Sequence, residues 1–347
     1  MTHTHRQGSL VDVPGLDIGQ HTLSQRLSGC SVVLARAGAV AAVDVRGAAP
    51  GTRETDLLDA SNLVEKVHAI ALCGGSAFGL DAASGVMRWL EERGIGFGTP
   101  HGVVPIVPAA VLFDLPLVRP GDEAHARPDA QAGYAACAAA SGAPPASGNV
   151  GAGAGATVGK LFGPERAMKG GIGHASVCVG PWVVAAMVAC NAVGDVTDPG
   201  SGRLLAGART EDGRQLLGSE RAMLGGQRLQ PPVPGTHTTI GVVGTNARLD
   251  KAQARRLAMS GHDGLARSIR PVHTPFDGDT LFAMATGTEN SPADVLLLSV
   301  MAAEATALAT VDAILSARGV QTLTGWLPAA HDLDGAQRQG MGTQTGA

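Results

Sequence analysis

Residues 235–246, GTHTTIGVVGTN, place two adjacent threonines at the start of a short β-branched run. Ile240, Val242 and Val243 form a short β-branched run bounded by glycines, which predicts a buried strand. Thr238 stands at the entrance of that strand, after a loop rich in proline and glycine. A threonine hydroxyl becomes a nucleophile when the chain is cut before it, because the new α-amino group can serve as its base. Threonine also favours strands for steric reasons, so the stretch alone fits a plain strand as well.

The composition indicates a large core built from small residues. Hydrophobic residues make up 44% of the 347 positions, aromatic residues only 3%, and 49 residues are glycine. Such a mixture favours helices packed closely on sheets and provides no aromatic platform for stacking bases. The formal net charge of −4 gives no basic surface, so we expect no nucleic-acid partner.

The N-terminal region, the apolar stretches and the cysteines together predict a cytoplasmic protein. No apolar run follows the first residues, so we expect no secretory signal. The longest apolar stretch, residues 295–315, is interrupted by Ser299, Glu304 and Asp312, which favours a buried helix over a membrane span. The five cysteines form no CxxC pair, which is typical of free thiols in a reducing compartment.

Periodicity predicts several regular elements and one long irregular segment. Residues 31–34 and 39–45 predict two strands joined as a hairpin or a meander, and residues 67–73 predict a buried strand leading into a helix. Residues 195–237 are polar, rich in glycine and proline and without periodicity. Long segments of this kind inside compact proteins are usually functional or disordered, and this one could move aside after a cut.

Ser76 is a second candidate nucleophile. Gly74-Gly75-Ser76 follows the predicted strand at 67–73, which is similar to the nucleophile elbow of α/β-hydrolases, although Phe78 replaces the last glycine of that motif. A serine hydrolase would combine Ser76 with Asp277 and His331, in the chain order Ser–Asp–His. A helix cap at Ser76 explains the same residues.

Residues 148–160, GNVGAGAGATVGK, form a glycine-rich loop that ends in a single cation, Lys160. The loop is not a Walker motif, because Leu161 stands where serine or threonine is required. It also lacks the preceding strand of a dinucleotide-binding fingerprint. A non-enzymatic protein that binds a small molecule on this loop remains an alternative, and we predict no cofactor.

Amide and carboxylate side chains stand next to two other predicted strands. Asn191 ends a buried strand, where its amide can donate to an oxyanion or cap a turn. Asp277-Gly278-Asp279 precedes an apolar strand and is also compatible with a simple turn. A metal site would have to recruit His262, Asp263, His273, Asp277 and Asp279. Because no HExxH motif is present, we predict no metal.

Taken together in their order along the chain, these motifs resemble those of the P1 or S58 peptidase family. That family comprises L-aminopeptidase/D-esterase enzymes, β-peptidyl aminopeptidases and endo-type nylon-oligomer hydrolases. The resemblance runs from about Val13 to about Ala317. It rests on residues 43–47 (VDVRG), 50–56 (PGTRETD), 74–79 (GGSAFG), 155–160 (GATVGK), 191–194 (NAVG), 238–243 (TTIGVV) and 273–280 (HTPFDGDT).

The resemblance implies an α/β fold, the αββα four-layer sandwich of N-terminal-nucleophile-like hydrolases, with residues 1–347 forming one hydrolase domain. It implies a precursor that cleaves itself between His237 and Thr238 into an α chain, residues 1–237, and a β chain, residues 238–347. Family members commonly assemble as tetramers of such αβ pairs, so we expect a homo-oligomer.

Roles for individual residues are also implied by the resemblance. Thr238 is the nucleophile, and its freed amine is the general base. Asn191 supplies an oxyanion donor, Lys160 lies in the site, and Asp277 and Asp279 orient the nucleophile and its amine. The last two are both aspartate in the nylon-hydrolase branch, as here, whereas aminopeptidase members have serine and glutamate.

Two positions depart from the family pattern. His237 stands where many members have asparagine and others glycine, and Phe113 stands where several have a tyrosine that lines the site. Asp114, beside Phe113, is a candidate for binding a substrate ammonium group.

The implied activity is hydrolysis of amide or ester bonds in small peptides or aminoacyl amides, releasing N-terminal residues through an acyl-enzyme. The alternative is an endo-amidase that acts on ω-amino-acid oligomers of the nylon type by the same mechanism.

Overall fold

The structure is a computed structural model that describes residues 8–230 and 237–333. The strands are β1 (Asp17–Thr22), β2 (Gly29–Val45), β3 (Thr52–Arg53), β4 (Lys66–Cys73), β5 (Phe97–Thr99), β6 (Gly102–Val104), β7 (Ala109–Val111), β8 (Thr157–Val158), β9 (Met168–Lys169), β10 (Gly171–Val179), β11 (Trp182–Asn191), β12 (Asp195–Thr197), β13 (Leu204–Ala206), β14 (Thr238–Ala247), β15 (Ile269–Arg270), β16 (Thr280–Glu289), β17 (Val320–Thr322) and β18 (Gly325–Leu327). The helices are α1 (Ala82–Glu91), α2 (Ala130–Ala138), α3 (Ser219–Leu224), α4 (Lys251–Ser268) and α5 (Val295–Leu315).

Nine strands join in one mixed set of ladders. The order is β10-β11-β14-β16-β2-β4-β7-β3, and β1 also pairs with β2. The parallel pairs are β14–β16 and β4–β7, and the other pairs along this path are antiparallel. This pattern differs from a sheet built of successive parallel βαβ units, which is the context expected for a nucleophile elbow at Ser76.

β2 is a single long strand that connects the two halves of the ladder. Its first part pairs with β1 and β4, and its second part pairs with β16. The register with β4 shifts between Leu34 and Ala39, where Gly38 has a φ of +76°. The prediction of two separate strands over residues 31–45, joined as a hairpin or a meander, is therefore wrong, because the chain continues as one strand. A short polar interruption with a glycine fits a β-bulge as well as a tight turn, and here it forms a bulge.

Three apolar clusters separate four layers. In β14, Val243 packs toward α4 and α5, whereas Val242 packs into the central cluster between the two halves of the ladder. In β2, Val33 faces the same central cluster, whereas Val32 packs toward α1 and α2. Because alternate residues of a strand point to opposite faces, each half has one helix-covered face and one face in the middle. The layers are therefore α, β, β and α, as expected.

Small residues allow the helices to pack closely. A Cβ at Gly264 of α4 would lie 2.2 Å from the carbonyl oxygen of Ala303 in α5. This contact accounts for part of the high glycine and alanine content. α5 is long and apolar enough to cross a membrane by length and composition alone. Here it is a core helix, since Leu298, Met301 and Ala305 are buried in the cluster shared with β10, β11 and α4.

The segment at residues 195–237 contains regular structure where we expected none. β12 pairs with β13 and β15, and α3 follows. The buried Asp195 carboxylate accepts hydrogen bonds from Ala208 N and from both the backbone and the hydroxyl of Ser219. A polar centre thus organises this segment, which hydrophobic periodicity does not reveal. Residues 231–236, directly before the predicted cut, lie outside the described residues.

Candidate active site

The start of β14 places Thr238 between two other functional segments. Thr238 pairs with Asn191, the last residue of β11. On the other side of β14, β16 begins at Thr280, directly after Asp277 and Asp279, and a bridge links His237 to Asp277. Three segments that are distant in the chain therefore meet at one edge because β11, β14 and β16 are neighbours. The side chains at this edge are buried, with Thr238 only 3% exposed.

The carbonyl group of His237 accepts two donors. Gly278 N–H donates to its oxygen at 2.9 Å, and the Thr238 hydroxyl donates to the same oxygen. The hydroxyl therefore lies against the peptide bond that precedes it. A backbone N–H aimed at a carbonyl oxygen is the arrangement that stabilises the oxyanion of a tetrahedral intermediate.

Gly278 makes this close approach possible. A Cβ at this position would lie 2.9 Å from Thr238 Oγ and 2.6 Å from the Ala49 carbonyl oxygen. The loop after β2 holds the same turn from the other side, since Arg46 N and Gly47 N donate to the Asp279 carbonyl and Ala49 N donates to the Asp277 carbonyl. These hydrogen bonds hold the segments VDVRG and HTPFDGDT next to each other in the fold.

The two carboxylates have separate partners. Asp279 Oδ1 accepts the Thr239 N–H at 2.7 Å, and Oδ2 accepts the backbone N–H and Nδ1–H of His273 at 3.1 and 2.8 Å. Asp277 Oδ2 accepts the N–H and hydroxyl of Thr274 at 2.8 and 2.6 Å. Burial, followed by the negative charge of Asp279, raises the pKa of Asp277 to about 6.

Lys160 and Asn191 form the opposite side of the site. Lys160 Nζ donates to the backbone oxygen of Asn191 at 2.9 Å and to its Oδ1 at 3.0 Å, and Thr157 N–H donates to the same Oδ1. Asn191 Nδ2 donates to the Phe113 carbonyl at 3.2 Å. These contacts fix which side of the amide carries the donors.

Charged groups on each side of the site shift the pKa values of groups on the other side. Burial lowers the pKa of Lys160 to about 7, although Asp277 and Asp279 act in the opposite direction. Burial and the positive charge of Lys160 lower the pKa of His237 to about 3, so its imidazole is neutral at physiological pH. The site therefore contains an amine and a carboxyl that both titrate near neutrality, a property that is common among acid–base groups in enzymes.

The structure brings together Thr238, His237, Asn191, Lys160, Asp277 and Asp279, with the Phe113 backbone beside them. Asp114 has a different environment. It is 2% exposed, and its Oδ1 accepts the Gly75 N–H at 2.8 Å at the turn after β4. Burial raises the pKa of Asp114. Binding of a substrate ammonium by Asp114 stays a prediction.

Ser76 has the backbone of an elbow without a catalytic triad. Its φ is +55°, a left-handed conformation uncommon for residues other than glycine. The Asp277 carboxylate, however, is bound by Thr274 beside Thr238, and His331 is half exposed with Nε2 3.5 Å from Asp332. The three residues of the serine-hydrolase hypothesis therefore have other partners. Within residues 8–230 and 237–333, no three His, Cys, Asp or Glu side chains come together as a possible metal site.

Several contributors to the site had no predicted role in hydrolysis, and His273 was considered only as a metal ligand: the set is Arg46, Gly47, Thr157, His273, Thr274 and Gly278. All of them lie in the motifs that carry the family resemblance. A threonine three residues before Asp277 is a local signal for a side chain that closes a turn, and it identifies Thr274 as a carboxylate partner.

The fold is similar to the N-terminal-nucleophile hydrolase fold of two solved structures. The L-aminopeptidase D-Ala-esterase/amidase of Ochrobactrum anthropi, reported as a new variant of that fold, matches with a TM-score of 0.70, covering 98% of this chain and 96% of its own at 18% identity. A β-aminopeptidase of Burkholderia sp. matches with a TM-score of 0.68, covering 96% and 94% at 22% identity. At these identities, the likeness concerns the fold.

Residues 8–326 match peptidase family S58, and the chain belongs to this family. An uncharacterized aminopeptidase of Mycobacterium leprae is 44% identical over 355 residues, covering 93% of this chain and 95% of that protein. The 6-aminohexanoate-oligomer endohydrolase of Paenarthrobacter ureafaciens is 32% identical over 292 residues, covering 83% and 78%. The predicted family is thus confirmed, and the chain is a hydrolase of the aminopeptidase and amidohydrolase class.

Proposed function

We propose that this protein is a self-processing threonine hydrolase, in which Thr238 first cuts the chain after His237 and then attacks amide bonds of small peptides or aminoacyl amides. The observation that carries the proposal is the contact of the Thr238 hydroxyl with the His237 carbonyl, whose oxygen also accepts the Gly278 N–H. Nucleophile, attacked group and oxyanion donor are thus in contact within one chain.

Self-cleavage begins when Thr238 Oγ attacks the His237 carbonyl carbon. The negative charge that develops on the carbonyl oxygen is stabilised by the Gly278 N–H. When the C–N bond breaks, the hydroxyl proton ends on the Thr238 nitrogen and an ester joins the two residues. Water then hydrolyses the ester, leaving the His237 carboxylate and a free Thr238 amine.

The proton acceptor for this first step has to be a side chain, because the α-amine of Thr238 is still part of the peptide bond. Lys160, with a pKa of about 7, and Asp277, with a pKa of about 6, both populate their basic forms at neutral pH. Groups with pKa values close to the working pH are the most effective general bases. Lys160 contacts Asn191, the strand partner of Thr238, and Asp277 is bridged to His237, so both groups lie beside the reacting residues, and we assign the first proton transfer to one of them.

In turnover, the freed amine of Thr238 is the base, with an intrinsic pKa of about 8. Thr238 Oγ attacks the substrate carbonyl, and the amine takes its proton and passes it to the leaving nitrogen. Asn191 and the Gly278 N–H are the oxyanion donors. Water completes the cycle by hydrolysing the acyl-enzyme, with the same amine as base. No cofactor is needed for these steps.

The two pieces stay together because the cut does not divide the sheet. β14 of the β chain pairs with β11 of the α chain, and β16 of the β chain pairs with β2 of the α chain. Each piece therefore depends on the other for its hydrogen-bonded neighbours. The homo-oligomer of αβ pairs and the cytoplasmic location stay predictions.

An endo-amidase acting on ω-amino-acid oligomers is the second candidate function. The aspartates at both positions 277 and 279 favour it, because the resemblance assigns this pair to the nylon-hydrolase branch. The relative from Paenarthrobacter ureafaciens is named as a hydrolase of such oligomers. The relative from Mycobacterium leprae, which has the higher identity, is named an aminopeptidase.

Hydrolysis assays with a matched pair of variants test the proposal. Purified wild-type protein is incubated with L-aminoacyl p-nitroanilides and, separately, with 6-aminohexanoate oligomers. Thr238→Ala should stay one chain and hydrolyse neither. Thr239→Val, a shape-conserving change at the next residue that keeps the backbone N–H, should be cut and active. Turnover by Thr238→Ala at the wild-type rate would refute the threonine mechanism, and the better substrate decides between the two functions.

A further inference from the structure

We propose that His273 is a positioning residue that orients the Asp279 carboxylate toward the backbone of the nucleophile, an inference that rests on the proposed function. His273 does not contact Thr238 in this structure by any hydrogen bond of its own. Its two donors both end on Asp279. Its effect on the reaction therefore passes through that carboxylate.

The two carboxylate oxygens of Asp279 accept hydrogen bonds from different residues. Oδ2 receives the backbone N–H and Nδ1–H of His273, at 3.1 and 2.8 Å, and Oδ1 receives the Thr239 N–H at 2.7 Å. A carboxylate held at both oxygens cannot rotate about its Cβ–Cγ bond without losing a charge-assisted hydrogen bond. Because Thr239 follows the nucleophile directly, Asp279 anchors the peptide that carries Thr238.

His273 contacts Asp279 from a strained backbone conformation, which costs conformational free energy. Its φ is +54°, in the left-handed region that residues with a Cβ rarely adopt. Such conformations persist where surrounding contacts over-determine them, and they cluster at functional sites. In this conformation the N–H and the ring of His273 point at the same oxygen of Asp279.

A second histidine holds the ring in place. The His262 ring packs edge-on against the His273 ring, with centroids 4.7 Å apart. His262 Nε2–H donates to the Asp44 carbonyl at 2.9 Å, and burial lowers the pKa of His262 to about 4. A neutral, hydrogen-bonded ring thus fixes the plane in which His273 Nδ1–H reaches Asp279.

Two substitutions distinguish the effect of the His273 side-chain N–H donor from the effect of its positive φ. His273→Asn tolerates a positive φ and keeps an N–H donor at the position of Nδ1. His273→Gly relieves the backbone conformation but removes the side-chain donor. Both are compared with wild type for the rate of self-cleavage, for kcat and KM on an L-aminoacyl p-nitroanilide, and for thermal midpoint.

We expect the asparagine variant to keep kcat within a few-fold of wild type, and the glycine variant to lose about 10- to 100-fold in kcat, with KM unchanged and a wild-type thermal midpoint. Equal losses in both variants, or a wild-type kcat in the glycine variant, would overturn the positioning role. If the glycine variant does not fold, His273→Leu replaces it, since leucine matches asparagine in shape, is uncharged and cannot donate. Equal kcat in the asparagine and leucine variants would then overturn the proposal.

The wild-type protein in the same experiment separates a failure of self-cleavage at Thr238 from a failure of the positioning role of His273. If wild type is not cut before Thr238, the proposed function fails and takes this inference with it. If wild type is cut and active while the glycine variant matches it, only the role of His273 fails.

Discussion

Replacing Asp277 by asparagine should stabilise the uncut chain at neutral pH while slowing its self-cleavage. Burial and the charge of Asp279 raise the pKa of Asp277 from 3.8 to about 6. Between these two values the folded state binds more protons at this group than the unfolded state does. The free energy of unfolding therefore falls as the pH rises from about 4 to about 6, and it stays lower above this window.

The size of the effect follows from the pKa difference. Each pKa unit corresponds to about 1.4 kcal/mol, so ionised Asp277 costs the folded state about 3 kcal/mol at pH 7. Asparagine removes the charge and keeps an oxygen that can accept both Thr274 donors, now 2.8 and 2.6 Å from Oδ2. We therefore expect a gain of about 1 to 3 kcal/mol at pH 7.5 that shrinks toward pH 4.

The assay is urea unfolding of Thr238→Ala and of the double variant Thr238→Ala/Asp277→Asn, at pH 4.5 and pH 7.5. The alanine background keeps both proteins as single chains, so the comparison is not confounded by cleavage. A double variant that is less stable than its parent at pH 7.5, or that shows the same pH dependence, would show that ionised Asp277 does not destabilise the folded chain. In the chain that keeps Thr238, the single variant Asp277→Asn should cleave itself more slowly than wild type, as followed by intact mass over time.

Three further changes test other contacts of the site. Gly278→Ala places a Cβ 2.9 Å from Thr238 Oγ, so the chain should stay uncut on a denaturing gel although it folds by circular dichroism. Lys160→Met removes two hydrogen bonds to Asn191 and a group that titrates near pH 7, so self-cleavage should slow about tenfold or more and lose its pH dependence there. Ser76→Gly fits the φ of +55° and should leave cleavage and kcat unchanged, whereas loss of activity with normal cleavage would revive the serine hypothesis.

The fold class was predictable mainly from the ordered set of motifs. Periodicity alone identified the strand after Thr238 and the buried helix α5, because each has a clear pattern of apolar residues. It failed at residues 31–45, where a bulge and a hairpin have the same local signal. It also failed after Asp195, where a buried carboxylate, and not an apolar stripe, holds β12, β13 and α3 together.

The candidate site was predictable at the level of residue types but not of contacts. Asn191, Lys160 and the two aspartates followed from the family resemblance, and the structure places them around Thr238. The role of Gly278 depends on its distance to Thr238 Oγ. The role of His273 depends on a positive φ. Neither the distance from Gly278 to Thr238 Oγ nor the φ of His273 can be read from spacing along the chain, because both are set only when β14 and β16 lie side by side.

Intact mass combined with N-terminal sequencing of the purified wild-type protein is the decisive measurement of self-cleavage before Thr238. Self-cleavage by Thr238 predicts two chains, one ending at His237 and one beginning with Thr238, and no cut in Thr238→Ala. A wild-type protein that hydrolyses amides as one uncut chain, or a second chain that begins at any other residue, would contradict it.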